Sequence, residues 1–219
     1  MTFDEEIRSK KAALIDMDGV LYDSMPLHCR AWRETLLNEG LDIPEEEFFL
    51  YEGMTGEATI NLLMNREKGV TLSSEECRRI YKAKAEAFIR QGEVKMMPGA
   101  ASLIKRLHEA GLTTVLVTGS AQNTLLDRLE TDYPGAFPPE RRVTALDVTH
   151  GKPHPEPYLR GLQKAGVDAA EAVVIENAPL GVRAGKAAGI FTVAWTTGPI
   201  PREAFEKEGA DLIMPRDLK

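Results

Sequence analysis

The stretch Asp16-Met17-Asp18-Gly19-Val20-Leu21-Tyr22-Asp23-Ser24 follows directly on the apolar run Ala12-Ala13-Leu14-Ile15. A short apolar run bounded by polar residues reads as a buried strand, and Gly19 supplies a point where the backbone can turn. Two carboxylates, one residue apart, are thereby delivered to the strand's carboxyl end, where ligands bind in open α/β sheets. An Asp-x-Asp-Gly string also opens calcium loops. The EF-hand pattern, however, needs further oxygen ligands and a glycine at its sixth position, and here Val20 and Leu21 follow. A plain surface turn is the simpler alternative, since Asp and Gly are ordinary turn residues.

Further along, strands and helices alternate. Pro98-Gly99 opens a helix running to His108, Gly111 stops it, and Thr113-Thr114-Val115-Leu116-Val117 is a β-branched strand ending at Thr118-Gly119-Ser120. Helices are expected over 121–130, 155–165 and 180–188, and strands over 143–146, 172–175, 191–194 and 211–214. The alternation argues for an α/β fold, a Rossmann-like parallel sheet with helices on both faces. Residues 26–92 break it. They carry helical patterns over 28–38, 44–51, 57–68 and 73–90, no convincing strand, and a glycine-bracketed loop Glu52-Gly53-Met54-Thr55-Gly56. A helical cap domain over 25–93, inserted into a core domain made of 1–24 and 94–219, is the expected organisation.

Composition narrows the function. With 219 residues and 43% hydrophobic content the chain can bury a full core and carry an insertion. A net charge of −7 argues against sequence-independent nucleic-acid binding, which depends on Lys and Arg neutralising phosphates. A small anionic substrate would need a metal and a few placed cations. The acidic start Met1-Thr2-Phe3-Asp4-Glu5-Glu6 lacks the apolar core of a signal peptide, and no run approaches the roughly 20 apolar residues of a membrane span. A cytoplasmic monomer with no membrane or nucleic-acid partner is expected. Cys29 and Cys77 lie far apart on helical patterns, without the spacing of a zinc or redox pair, and read as packed thiols.

Four strand ends supply polar groups: Asp16 and Asp18; Thr118 and Ser120; Lys152 in Gly151-Lys152-Pro153; and Glu176 with Asn177. Carboxylate and carbonyl oxygens suit Mg²⁺. Thr118, Ser120 and the backbone N–H groups around Gly119 suit phosphate oxygens, and Lys152 can neutralise a carboxylate and a transferring phosphoryl group. Taken singly, Thr118 to Ser120 and Glu176-Asn177 could be helix caps and Lys152 a solvated charge. Their conjunction points to a site.

That conjunction resembles the haloacid dehalogenase superfamily of phosphotransferases. Asp16-Met17-Asp18-Gly19-Val20 is similar to its first motif, Thr118-Gly119-Ser120 to its second and Lys152-Pro153 to its third, while Glu176-Asn177 occupies its fourth. The position of the cap resembles the β-phosphoglucomutase-like subfamily. Within it, Asp-Met-Asp-Gly-Val-Leu-x-x-Ser-Met-Pro, Glu-Gly-x-Thr-Gly and Val-Ile-Glu-Asn-Ala-Pro-Leu-Gly-Val resemble the Bacteroides-type inorganic pyrophosphatases.

The resemblance implies that Asp16 is the nucleophile and a Mg²⁺ ligand, that Asp18 is the general acid/base and lies in the metal environment, and that Glu176 supports the site. A free aspartate has a pKa of about 3.9 and needs no activating base to attack phosphorus. The fourth motif usually offers Asp where this chain has Asn177, which keeps an oxygen but removes a charge. The resemblance further implies that Glu52, from the cap, joins the metal shell. The simpler reading of Glu52 is a solvated carboxylate. Mutases of the subfamily carry an Arg in the cap loop, where this chain has Gly56, and a Lys after the second-motif Ser, where it has Ala121. Both differences count against a mutase. His28, with Tyr81 and Lys84 on one helix face, would meet a second phosphate. The expected activity is a Mg²⁺-dependent phosphohydrolase working through an aspartyl-phosphate, with pyrophosphate as substrate. The alternatives are a sugar-phosphate phosphatase or phosphomutase and, from another class, a non-catalytic ligand-binding domain.

Overall fold

Strand β1 (Ala12–Ile15) is buried along its whole length, as an apolar run with no polar face requires. In the computed structural model, which describes residues 2–120 and 123–217, β1 is central to a six-stranded sheet. The others are β2 (Thr113–Val117), β3 (Arg142–Val143), β4 (Ala172–Glu176), β5 (Phe191–Trp195) and β6 (Leu212–Met214). All pairings are parallel and the order is β3-β2-β1-β4-β5-β6. Leu14 sits beside Val115 on one side and Val174 on the other. Chain order reverses around β1, so the carboxyl ends of β1, β2 and β4 border the crevice of a doubly wound sheet.

Between β1 and β2 the described chain is helical. After a short helix α1 (Phe3–Ile7) ahead of the sheet come α2 (Met25–Asn38), a 3-10 helix (Glu45–Tyr51), α3 (Gly56–Lys68) and α4 (Ser74–Arg90). Pro26 stands in the first turn of α2, where its missing N–H costs nothing. Ser73 and Glu76 form the expected capping box of α4. These elements share an apolar cluster of their own, built on Leu36, Phe48, Ile60, Leu63 and Ile80 and separate from the clusters of the sheet. Cys29 and Cys77 are both buried in it as free thiols, and burial pushes the Cys29 thiol up to about 12.

Past the cap come α5 (Ala100–Glu109), α6 (Asn123–Leu126), α7 (Leu129–Asp132), α8 (Glu156–Ala165), α9 (Pro179–Ala187) and α10 (Arg202–Lys207). Successive strand residues face opposite layers. Ala13, Ile15, Leu116 and Ile175 pack with Leu103 and Leu107 of α5, whereas Leu14, Val115, Val117 and Val174 pack with Tyr158 of α8 and Ala184 of α9. Helices therefore cover both faces of the sheet.

Two expected elements differ. The strand expected over 143–146 is only Arg142–Val143, because the Asp147 carboxylate accepts from both the backbone N–H and the hydroxyl of Thr144 and turns the chain out of the ladder. The helix expected over 121–130 is two short pieces; Arg128, between them, donates to the Val94 carbonyl and lies over the Tyr22 ring. Ala121, where that helix was expected to begin, lies outside the described residues.

Candidate active site

The buried charged side chains among the described residues are Asp16, Asp18, Glu52, Glu176, Lys84 and Lys152, with His28 beside them. Charged groups are almost never fully buried unless paired, so their concentration at one crevice marks a place where the fold tolerates electrostatic cost. Four carboxylates face two ammonium groups there, a deficit that one divalent cation would remove.

Lys152 is fully engaged. Its Nζ donates to Asp16 Oδ1 (2.5 Å), Glu176 Oε1 (2.6 Å) and the Val117 carbonyl (3.0 Å), and the Tyr158 hydroxyl donates to the same Glu176 oxygen (2.7 Å). Burial disfavours the ammonium form, but the two carboxylates outweigh it and keep Lys152 charged. The other Glu176 oxygen accepts the N–H groups of Asn177 and Ala178. Glu176 thus fixes Lys152 on one side and the strand-end loop on the other. The lysine is buried beside Asp16, contrary to the solvated-charge alternative.

Asp16 is pushed up to about 8, chiefly by burial, then by Glu176 and Asp18, with Lys152 opposing. An added positive charge is therefore what would leave Asp16 ionised and nucleophilic at neutral pH. Asp18 is treated differently. Burial works against its charge, but His28, Ser24 and Lys84 together hold its carboxyl below the usual range. Ser24 Oγ donates to Asp18 Oδ1 at 2.6 Å. Lys84 Nζ lies 2.7 Å from His28 Nδ1, and His28 Nε2 lies 3.0 Å from Asp18 Oδ1. An ammonium can only donate, so His28 Nδ1 accepts and Nε2 carries the proton given to Asp18. Burial and then the Lys84 charge depress the pKa of His28, while burial brings Lys84 down to about 8. His28 stacks on Phe88 at 4.1 Å between ring centroids. The cap thus reaches the first-motif aspartate directly, through a His28 that also lines the cavity.

Glu52 is buried, not solvated. Its Oε1 accepts from Asn177 Nδ2 at 2.8 Å, and burial, with Asp16 next, raises its pKa well above the carboxylate range. Glu52 Oε2 and Asn177 Oδ1 have no hydrogen-bond partner although both are buried. Unpaired buried acceptors are rare and costly, and a pair of them beside the two aspartates fits a hard divalent cation with oxygen ligands. Gly19, at φ +79°, makes room: a Cβ there would stand 2.0 Å from Asn177 Nδ2 and 2.9 Å from Glu52 Oε1.

The cap and core loops meet through glycines. A Cβ on Gly119 would come within 2.7 Å of the Gly53 carbonyl oxygen, and one on Gly53 within 2.8 Å of the Lys152 side chain. The cavity left between them is about 60 Å³ and is lined by Asp16, Asp18, His28, Glu52, Tyr81, Lys84 and Ser120, among others. That is room for roughly four waters. Glu52 and Asn177 also border a second cavity of about 280 Å³. Gly56 does more than omit the mutase arginine: a Cβ there would fall 2.1 Å from the Tyr81 ring, which occupies that space. Thr118 does not line the cavity; its Oγ1 accepts the Ser120 N–H at 3.0 Å and shapes the loop that presents Gly119 and Ser120.

Three contributors escaped the sequence reading. Ser24 lies inside the quoted opening stretch, six residues after Asp18, but a serine before a helix reads as a cap. Tyr158 carries no local signal. Thr197, whose hydroxyl donates to the Gly19 carbonyl at 2.6 Å, lies 178 residues from its partner.

A family model described as haloacid dehalogenase-like hydrolase matches residues 10–189. Hexitol phosphatase A of Escherichia coli is 34% identical over 84% of this chain and 82% of its own length. Glycerol-1-phosphate phosphohydrolase 2 of Saccharomyces cerevisiae is 30% identical over 93% of this chain and 81% of its own. A solved structure from Bacteroides vulgatus, provisionally named β-phosphoglucomutase, superposes with a TM-score of 0.91 at 45% identity, covering 97% of this chain and 90% of that one. The activities in these names concern sugar and polyol phosphates, the alternative set beside pyrophosphate above.

Proposed function

Because the chain belongs to the haloacid dehalogenase-like hydrolases, we propose that this enzyme is a Mg²⁺-dependent phosphatase that passes the phosphoryl group through Asp16, with small sugar or polyol phosphates as its substrates. The observation that carries the chemistry is the pairing of Asp16 and Asp18 with the unpartnered Glu52 Oε2 and Asn177 Oδ1. The relatives' names carry the substrate class. Residues 25–93 act as the cap in this reading.

Asp16, Asp18, Asn177 and Glu52 would hold the cation, which when bound offsets the repulsion between an anionic nucleophile and an anionic substrate. An Asp16 carboxylate oxygen attacks phosphorus, a P–O bond forms, and the bond to the leaving oxygen breaks. The anionic substrate beside Asp18 offsets the hold of His28, Ser24 and Lys84, so that Asp18 enters this step protonated and gives its proton to that leaving oxygen. Asp18, now a carboxylate held ionised by Ser24 and His28, then takes a proton from the water that attacks the phosphoryl-Asp16. Inorganic phosphate leaves and Asp16 is regenerated. Lys152, through its hydrogen bond, fixes the orientation of Asp16 throughout.

Pyrophosphate is a second reading, favoured by the small cavity, by Lys84 lining it, and by Glu52 reaching in from the cap. Phosphate release with Mg²⁺, compared by kcat/KM across hexitol, hexose and glycerol phosphates and pyrophosphate, separates the two. Preference for a carbon-bearing phosphate supports the first reading. Preference for pyrophosphate by orders of magnitude overturns the substrate class and leaves the chemistry standing.

A further inference from the structure

The loop between β3 and α8, with the first residue of α8, carries side chains of metal-ligating type that the phosphatase chemistry does not use. His150-Gly151-Lys152-Pro153-His154-Pro155-Glu156 places two imidazoles and a carboxylate within seven residues. One ligand atom from each of His150, His154 and Glu156 lies within 4.8 Å of the others. The two rings are 4.6 Å apart between centroids. Four ligands held tetrahedrally about 2.1 Å from a zinc ion stand roughly 3.4 Å from one another, so a small rotation of exposed rings closes the set. The carboxylate is already fixed, because Glu156 accepts the backbone N–H of Thr149 at 3.1 Å and of His150 at 2.9 Å, as well as His150 Nδ1 at 3.1 Å. Oε1 takes the Thr149 N–H and Oε2 the two His150 nitrogens, and Arg160 approaches Oε1 only at 3.9 Å. The His150 side chain is 62% exposed, so the group is open to a solvated ion.

We propose that His150, His154 and Glu156 form a site for a late first-row divalent cation such as Zn²⁺, with three protein ligands and an open position. Two imidazoles and one carboxylate suit zinc, nickel or copper, whereas the all-oxygen set at Asp16 suits magnesium. His150 and His154 each stand two residues from Lys152. A cation bridging them would hold the backbone on both sides of the lysine that orients Asp16.

The test is a calorimetric Zn²⁺ titration of the intact protein in excess Mg²⁺, run on the wild type, His154→Ala and the double variant His150→Ala/His154→Ala. Circular dichroism confirms that each is folded. Zn²⁺ also enters carboxylate clusters, so the decisive quantity is a difference: the wild type binds one more Zn²⁺ than the double variant. His154→Ala should weaken that binding step by at least about the tenfold that a lost supporting contact costs. Equal stoichiometry and affinity in all three proteins, or no binding in any, overturns the site.

Discussion

In the proposed cation site Asn177 and Glu52 would compensate for one another. Asn177 offers an oxygen without a charge, and Glu52 brings a carboxylate from the cap to a hydrogen bond with it. Glu52→Ala should therefore weaken Mg²⁺ activation by at least about tenfold. It should also reduce pyrophosphate turnover more than hydrolysis of a phosphomonoester, because the shorter and more highly charged substrate depends more on local charge. Equal losses in kcat/KM would count against a metal ligand from the cap. Each of the buried charges at the site was legible in the sequence, since Asp16, Asp18, Lys152 and Glu176 sit at strand ends or motif loops and Glu52, His28 and Lys84 follow from the resemblance. What could not be read was direction. Nothing local shows that Thr118 folds back on Ser120, that Lys152 is buried beside Asp16, or that His28 donates to Asp18. Those outcomes depend on partners many residues away.

The loop 52–56 shows how elements combine. It leads into α3, whose N-cap Thr55 accepts from Ala58 N–H, and it is pressed against the second-motif loop at Gly119 and the third-motif loop at Gly151. A Cβ on Gly119 would stand 2.7 Å from the Gly53 backbone oxygen, which cannot yield as a side-chain end can, so Gly119→Ala should keep the cap from seating. We expect kcat to fall by about tenfold or more while thermal stability changes by about 1 kcal/mol or less, because Gly119 is only half-buried, in a loop at the crevice. Unchanged turnover would show that this close approach is not needed for catalysis. The strands of the sheet were readable because buried β-branched runs have no other use. β3 and the 123–132 region were not, because Asp147 and Arg128 redirect the backbone by side-chain hydrogen bonds that periodicity does not report. The short helix α1 did carry a signal, the Thr2 and Glu5 capping box.

For the molecule as a whole, the parallel order β3-β2-β1-β4-β5-β6 brings residues 16, 118 and 176 to one edge, and stability bears the cost of the charges gathered there. Asp16 and Glu52 both have folded-state pKa values above their ordinary ones, so each holds its proton more tightly in the folded chain than in the unfolded one. In cation-free protein their contribution is fully present below the ordinary carboxylate pKa and is lost as pH rises, for Asp16 through about 8. His28, with its lowered pKa, opposes this only below its ordinary value of 6.5. Cation binding requires the deprotonated carboxylates, so the rise in Tm produced by Mg²⁺ should be larger at pH 8 than at pH 6. A pH-independent rise would place the cation elsewhere. Among the described residues no helix is long and apolar enough to cross a membrane. In the proposed reaction phosphorus passes through Asp16. Acid quenching during turnover with Mg²⁺, followed by mass spectrometry of peptides, should find one phosphoryl group on the peptide containing Asp16, with neither label nor turnover in Asp16→Asn. Steady turnover in that variant, or a label on a different residue, would contradict it.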